Sequence, residues 1–166
     1  MRTVAEYIVG GMSLISPTDE NVNTLTSALQ DDKGYSESVG SMRVCWSCVD
    51  SVYEQIVAGT KYWFNINGCN VIRPEVQDSV MMLEGKCSDT TLESCTPTPY
   101  QVQIWEKEWL NMRQVLSITQ RSSSGGPDMM TAPNPYACTD QKPSVSGPPN
   151  QPNGVQQPTQ VETNSL

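Results

Sequence analysis

The sequence predicts an α+β fold: one helix packed across an antiparallel β-sheet, followed by a disordered tail. Three observations carry this reading. A single apolar stripe at helical spacing lies in the first third of the chain. Runs rich in β-branched and aromatic residues follow it from Met42 onward. Eight of the twelve prolines fall in residues 121–166. A helix followed by a series of strands favours an antiparallel sheet with the helix on one face.

The helix is expected to start at Pro17-Thr18-Asp19-Glu20, with Thr18 or Asp19 as its cap. Val22, Leu25, Ala28 and Leu29 then recur on one face, the pattern of a helix buried on one side. Asp31-Asp32-Lys33-Gly34 ends it, with Gly34 as the stop. A long hairpin comes next. Its first arm holds Val44, Trp46, Val49, Val52 and Tyr53, its turn lies in Gln55-Ile56-Val57-Ala58-Gly59, and its second arm runs from Thr60 to Ile66. After an irregular insert, a second hairpin pairs residues 100–105 with 115–118, and residues 106–114 form its turn region. Residues 1–120 therefore make the domain. Residues 121–166, with Ser122-Ser123-Ser124-Gly125-Gly126-Pro127 at their start and almost nothing aliphatic to bury, read as a tail or linker.

Composition narrows the function. The chain has 166 residues, 10 Lys+Arg against 18 Asp+Glu, a net charge of −8 and no histidine. An acidic chain gains nothing from releasing phosphate counterions, so nucleic acid is not an expected partner, and neither is an anionic membrane. Without an imidazole, neither Ser-His-Asp nor Cys-His catalysis is available. The chain reads as a non-enzyme with no catalytic residues, no cofactor and no metal site. Glu106 and Glu108 share a strand face, which reads as a solvated hairpin rim rather than a catalytic pair.

Six cysteines stand at 45, 48, 69, 87, 95 and 138. Their density points to an oxidising, extracellular setting. The opening residues Met1-Arg2-Thr3-Val4-Ala5-Glu6-Tyr7 carry no apolar signal core, so a cytoplasmic reading stays open. Cys45-Trp46-Ser47-Cys48 is a Cys-x-x-Cys without the second ligand pair that zinc needs, and in a strand its thiols point to opposite faces. If the first hairpin turns about Val57, Cys45 and Cys69 face each other and form a cross-strand disulfide unless a bulge shifts the register.

Three short segments, in order, carry a resemblance. They are Val9-Gly10-Gly11 before the helix, Gln55-Ile56-Val57-Ala58-Gly59 in the first hairpin, and Gln103-Ile104-Trp105-Glu106-Lys107-Glu108-Trp109-Leu110-Asn111 in the second. With these the chain resembles the cystatins over about residues 8–120. The resemblance implies a reversible competitive inhibitor of papain-like cysteine proteases of cathepsin L or B type. In that family an N-terminal segment and two hairpin tips align as a wedge that fills the protease cleft without offering a scissile bond. The carried-over positions are Ile8 and Val9 as apolar anchors and Gly10 and Gly11 for close backbone approach. Gln55, Ile56, Val57, Ala58 and Gly59 form the first tip, where Gln55 is expected to brace its own loop. Glu108 and Trp109 form the second tip, with Trp109 or Leu110 packing inward.

The departures matter too. The family places proline where Glu108 stands, which implies a weaker second tip or a target with a basic primed side. A non-inhibitory cystatin-fold binding module, or one unit of a multidomain cystatin, is the alternative reading. Secreted cystatins carry a disulfide in the loop before the second hairpin, which implies that Cys87 pairs with Cys95. The family's second bridge falls near Tyr100 and Gln120, where this chain has no cysteine.

Overall fold

The computed structural model describes residues 10–71, 83–122 and 133–139. In chain order these form β1 (Met12–Ile15), α1 (Asp19–Gln30), β2 (Val44–Val57), β3 (Gly59–Asn70), α2 (Asp89–Ser94), β4 (Thr98–Lys107) and β5 (Met112–Gln120). The strands make one five-stranded sheet in the order β1-β2-β3-β4-β5, every neighbour antiparallel. Helix α1 packs across one face of it, as the sequence predicts.

Local chemistry explains the helix. Thr18 caps α1: its hydroxyl accepts from Asn21 N while the Asn21 side chain accepts from Thr18 N, a reciprocal capping box. Val22, Leu25, Ala28 and Leu29 are all buried, against Val49, Val52, Phe64, Ile66, Val102, Ile104 and Val115. Each fully buried aliphatic side chain of this size contributes about 1.5–3 kcal/mol. The helix ends at Gln30, with Asp31 as its C-cap. Gly34 instead closes a separate 3-10 turn, Asp32–Gly34. Beyond that turn, Tyr35 OH donates to Leu29 O at 2.9 Å, and the Arg43 guanidinium stacks on the Tyr35 ring while its Nε pairs with Asp32 at 2.9 Å.

The first hairpin turns at Ala58, not Val57, so Val57 faces Gly59 and Gln55 faces Lys61. Register shifts at Ser47 and Asp50 then bring Cys45 opposite Cys69. Each extra residue also resets the alternation of faces. Trp46, Val49 and Val52 therefore all reach the α1 side at a spacing of three, where an unbroken strand would alternate. By the same register Cys45 and Cys48 share the helix-free face, correcting the expectation of opposite faces.

The disulfides also differ from expectation. Cys45 bonds to Cys87, Cys69 to Cys95 and Cys48 to Cys138, with Cα–Cα distances of 4.9, 6.2 and 5.0 Å. The expected pairs Cys87–Cys95 and Cys45–Cys69 do not form. Residues 85–87 run parallel to the start of β2, where Trp46 N donates to Gly85 O at 3.0 Å and Cys87 N to Trp46 O at 2.8 Å. That places Cys87 beside Cys45. Helix α2, Asp89–Ser94, then follows Cys87 and spans about 9 Å. It delivers Cys95 to Cys69. At the family's second-bridge position, Tyr100 and Gln120 do face each other across β4 and β5.

Residues 133–139, within the segment read as tail, lie along β2. Val49 N donates to Tyr136 O at 2.8 Å and Asn134 Nδ2 to Val49 O at 2.9 Å. The Tyr136 ring meets Trp46 edge-on, and its hydroxyl donates to Asp19 Oδ1 at the start of α1. The rest of that segment, 123–132 and 140–166, lies outside the described residues.

A peptide map under non-reducing conditions is expected to recover 45–87, 69–95 and 48–138. Replacing Cys48 and Cys138 together by alanine is expected to lower stability in urea by up to about 4.6 kcal/mol, the loop-closure value for this span.

Candidate functional site

The two hairpin tips and the N-terminal segment meet at one end of the sheet. Strand β1 pairs with the end of β2, Met12 facing Gln55. Gln55 Nε2 donates to Gly10 O at 2.7 Å. The glutamine thus ties the N-terminal segment to the first hairpin, rather than bracing its own loop as expected. Gly10 sits at φ +89 with no described atom within 4 Å of where a Cβ would stand, and Gly11 is half-buried. Ile8 and Val9 lie outside the described residues.

Bracing of the first tip comes from a residue the sequence reading did not assign. Trp105 Nε1 donates to Ala58 O at 3.0 Å. Its indole carries Lys107 Nζ 3.9 Å and Lys61 Nζ 5.9 Å from the ring centre. The signal lay in the alternation of β4: Tyr100, Val102, Ile104 and Glu106 are buried on the α1 side, which sets Trp105 on the other face, level with Lys61. Gly59 is held at φ +100. A Cβ there would stand 2.3 Å from Glu106 O, so only glycine fits between the tip and β4.

The second tip is a 3-10 turn, Glu108–Leu110, closed by Asn111 N donating to Glu108 O at 2.9 Å. Asn111 takes a left-handed conformation at φ 47, one that asparagine tolerates. Strands β4 and β5 run closer to this tip than the sequence suggested, so the expected turn at 106–114 shrinks to residues 108–111. Trp109 is 66% exposed and Leu110 59%. Neither packs inward, contrary to expectation. Ile56 and Val57 are exposed on the first tip, and a shallow groove between the tips is lined by Ile56, Val57, Ala58, Glu108 and Trp109, among others.

Glu106 is not on a solvated rim. It is buried beneath α1, accepting from Arg113 Nε at 2.9 Å and from Thr24 Oγ1 at 3.2 Å. The carboxylate is thereby satisfied in place, a positioning group under the second tip. The Tyr62 phenol beside it is pushed up to about 12, first by burial and then by Glu106, Glu54, Glu108 and Glu20. Among the described residues no group of three His, Cys, Asp or Glu side chains could hold a metal ion. Cys45 and Cys48 of the Cys-x-x-Cys are each bonded to a different distant partner.

No protein-family model matches the chain. Curated relatives do, among them two named cystatin-like cysteine protease inhibitor EPIC4, from Phytophthora infestans and from its strain T30-4. Each is 42% identical over 101 residues, which is 61% of this chain and 53% of the relative. Over those residues the chain is similar to these cystatin-like inhibitors. It spans about half the length of these curated relatives. Among solved structures, a salivary cystatin of the soft tick Ornithodoros moubata aligns with a TM-score of 0.45 and 21% identity, covering 69% of this chain and all of the tick chain. The protein Al-CPI aligns with a TM-score of 0.39 and 22% identity, covering 68% of this chain and 96% of its own. Likeness at that level carries no weight here; the sequence relatives do.

In this chain, Gly10, Gly11, Gln55, Ile56, Val57, Ala58, Gly59, Glu108 and Trp109 belong to adjoining elements at one end of the sheet. Gly59→Ala is expected to lower stability by about 1–3 kcal/mol in urea, because it forces a side chain into a strained torsion against a fixed carbonyl.

Proposed function

We propose that the chain is a reversible competitive inhibitor of papain-like cysteine proteases of cathepsin L or B type. The observation that carries this is the alignment of three elements at one end of the sheet, tied by Gln55 to Gly10 O and by Trp105 to Ala58 O. The name of the Phytophthora infestans relatives supports protease inhibition in general.

The physical logic runs from shape to affinity. A papain-like protease presents a narrow cleft with its nucleophilic cysteine at the base. A wedge of compact residues, Val57 and Ala58, can reach that depth without presenting a carbonyl for attack. Ile8 and Val9 are assigned to the non-primed pockets, with Gly10 and Gly11 letting the backbone pass close to the cleft wall. Trp109 offers the large flat surface typical of interface hot spots. Glu108, in the family's proline position, adds a charge at the tip. Because both tips are braced before binding, little ordering entropy is lost on association. Inhibition of this kind needs no catalytic residue and no cofactor. The three disulfides support an extracellular setting.

Titration of papain, or of a cathepsin L-like enzyme, with the full oxidised chain tests the proposal. Nanomolar inhibition is expected. Val57→Asp forces an unpaired charge into the cleft and is expected to abolish it. Trp109→Ala is expected to weaken it by about 30-fold or more, the scale of a hot-spot truncation. A folded, fully oxidised chain that fails to inhibit at micromolar concentration would leave the non-inhibitory binding module in its place.

A further inference from the structure

The wedge is electrically divided across its thickness. On the helix-free face, the row across the tip reads Met12, Gln55, Lys61, Trp105 and Gln114. Lys107 follows Trp105 two residues on, on the same face. Both lysines reach the Trp105 indole, and no carboxylate stands in that row. On the α1 face the sign reverses. Glu54 and Glu106 occupy the alternate positions of β2 and β4, and Glu20 and Glu108 stand close enough to act on the same phenol, Tyr62. At the tip end of that side Arg113 pairs with Glu106. For the strand residues the split follows from periodicity: Lys61 and Lys107 take one face, Glu54 and Glu106 the other.

Two features make the division an interaction property rather than a scatter of surface charge. It coincides with the exposed tips, Val57 on one hairpin and Trp109 on the other. The lysines are also held on a fixed aromatic platform whose own nitrogen braces the first tip, so their position is coupled to that of the wedge. A ring face attracts a cation through its quadrupole, so the stacked ammonium stays at the rim of the interface.

We propose that Lys61, Lys107, Glu20 and Glu54 select the target: a papain-like protease whose cleft has an anionic wall toward the helix-free face and a cationic wall toward α1. This rests on the inhibitor reading and specifies its partner. Charges at an interface rim act chiefly on association rate and on partner discrimination, and dissociation depends on the buried contacts. The divided field also fixes orientation, since a wedge entering the cleft turned about its long axis meets like charge on both walls.

The test uses the full oxidised chain and the papain-like protease that it inhibits most tightly. Association and dissociation rates are measured between about 10 and 100 mM salt, where screening tightens from about 30 to 10 Å. Lys61→Gln with Lys107→Gln lowers the net charge of the chain; Glu20→Lys with Glu54→Lys raises it. Both double variants are expected to slow association by about 3- to 10-fold at low salt, with the deficit shrinking as salt rises and dissociation unchanged. Opposite effects from the two variants would mean that net charge alone steers the encounter, and would overturn the division. No effect from either, with Val57→Asp still abolishing inhibition, overturns the proposal and leaves the wedge intact. An unmodified chain that does not inhibit removes both.

Discussion

Strand β2 is far longer than the neighbour that covers it. It runs for 14 residues, and β1 covers only the last four positions before the tip, Val52 to Gln55. The remaining outer edge would present a row of unsatisfied backbone groups, a template for pairing with other chains. Two segments from elsewhere in the chain seal it. Residues 85–87 hydrogen-bond to Trp46, and residues 134–136 hydrogen-bond to Val49. Disulfides sit at both seals: Cys45–Cys87 at the first, and Cys48–Cys138 at the second. The need to close this edge explains why the cysteines gather where they do and why part of the presumed tail folds back.

The same strand governs the site. Its bulges at Ser47 and Asp50 add twist while keeping Trp46, Val49 and Val52 under the helix. The cross-links therefore lie toward one end of the long hairpin, and the exposed tips lie at the other. Rigidity at the tips comes from hydrogen bonds and packing instead: Gln55 to Gly10, Trp105 to Ala58, and Glu106 held between Thr24 and Arg113. A binding edge held in this way is organised before its partner arrives.

Much of this was legible in the sequence. The stripe Val22, Leu25, Ala28 and Leu29 marks a helix and its buried face together, and Thr18 marks its start. The first hairpin tip could be read because the β-branched and aromatic run is broken there by Gly59, and the second from the gap between two such runs. What the sequence hid was non-local. Strand β1 is four residues with an unremarkable composition, and it exists because the end of β2 pairs with it. The disulfides depended on where the insert docks, which no spacing rule contains; Cys45 does face Cys69, because two bulges offset the displacement of the turn to Ala58, and yet each partner was taken by a residue of the insert. Trp105 was seen as part of a motif without its brace, because that contact joins two hairpins 47 residues apart. Glu106 read as a surface charge because its companions, Thr24 and Arg113, are brought together only by the tertiary fold.

The clasp between Cys48 and Cys138 joins positions 90 residues apart. During synthesis the whole sheet, from β1 to β5, can emerge before the residue that locks the uncovered edge of β2 exists. A nascent chain released at the end of β5 holds a strand edge with no backbone to meet Val49, and a thiol at Cys48 whose partner has yet to be made. Completion of the fold is therefore the last event in the vectorial order, and the segment beyond β5 acts as its closing stitch.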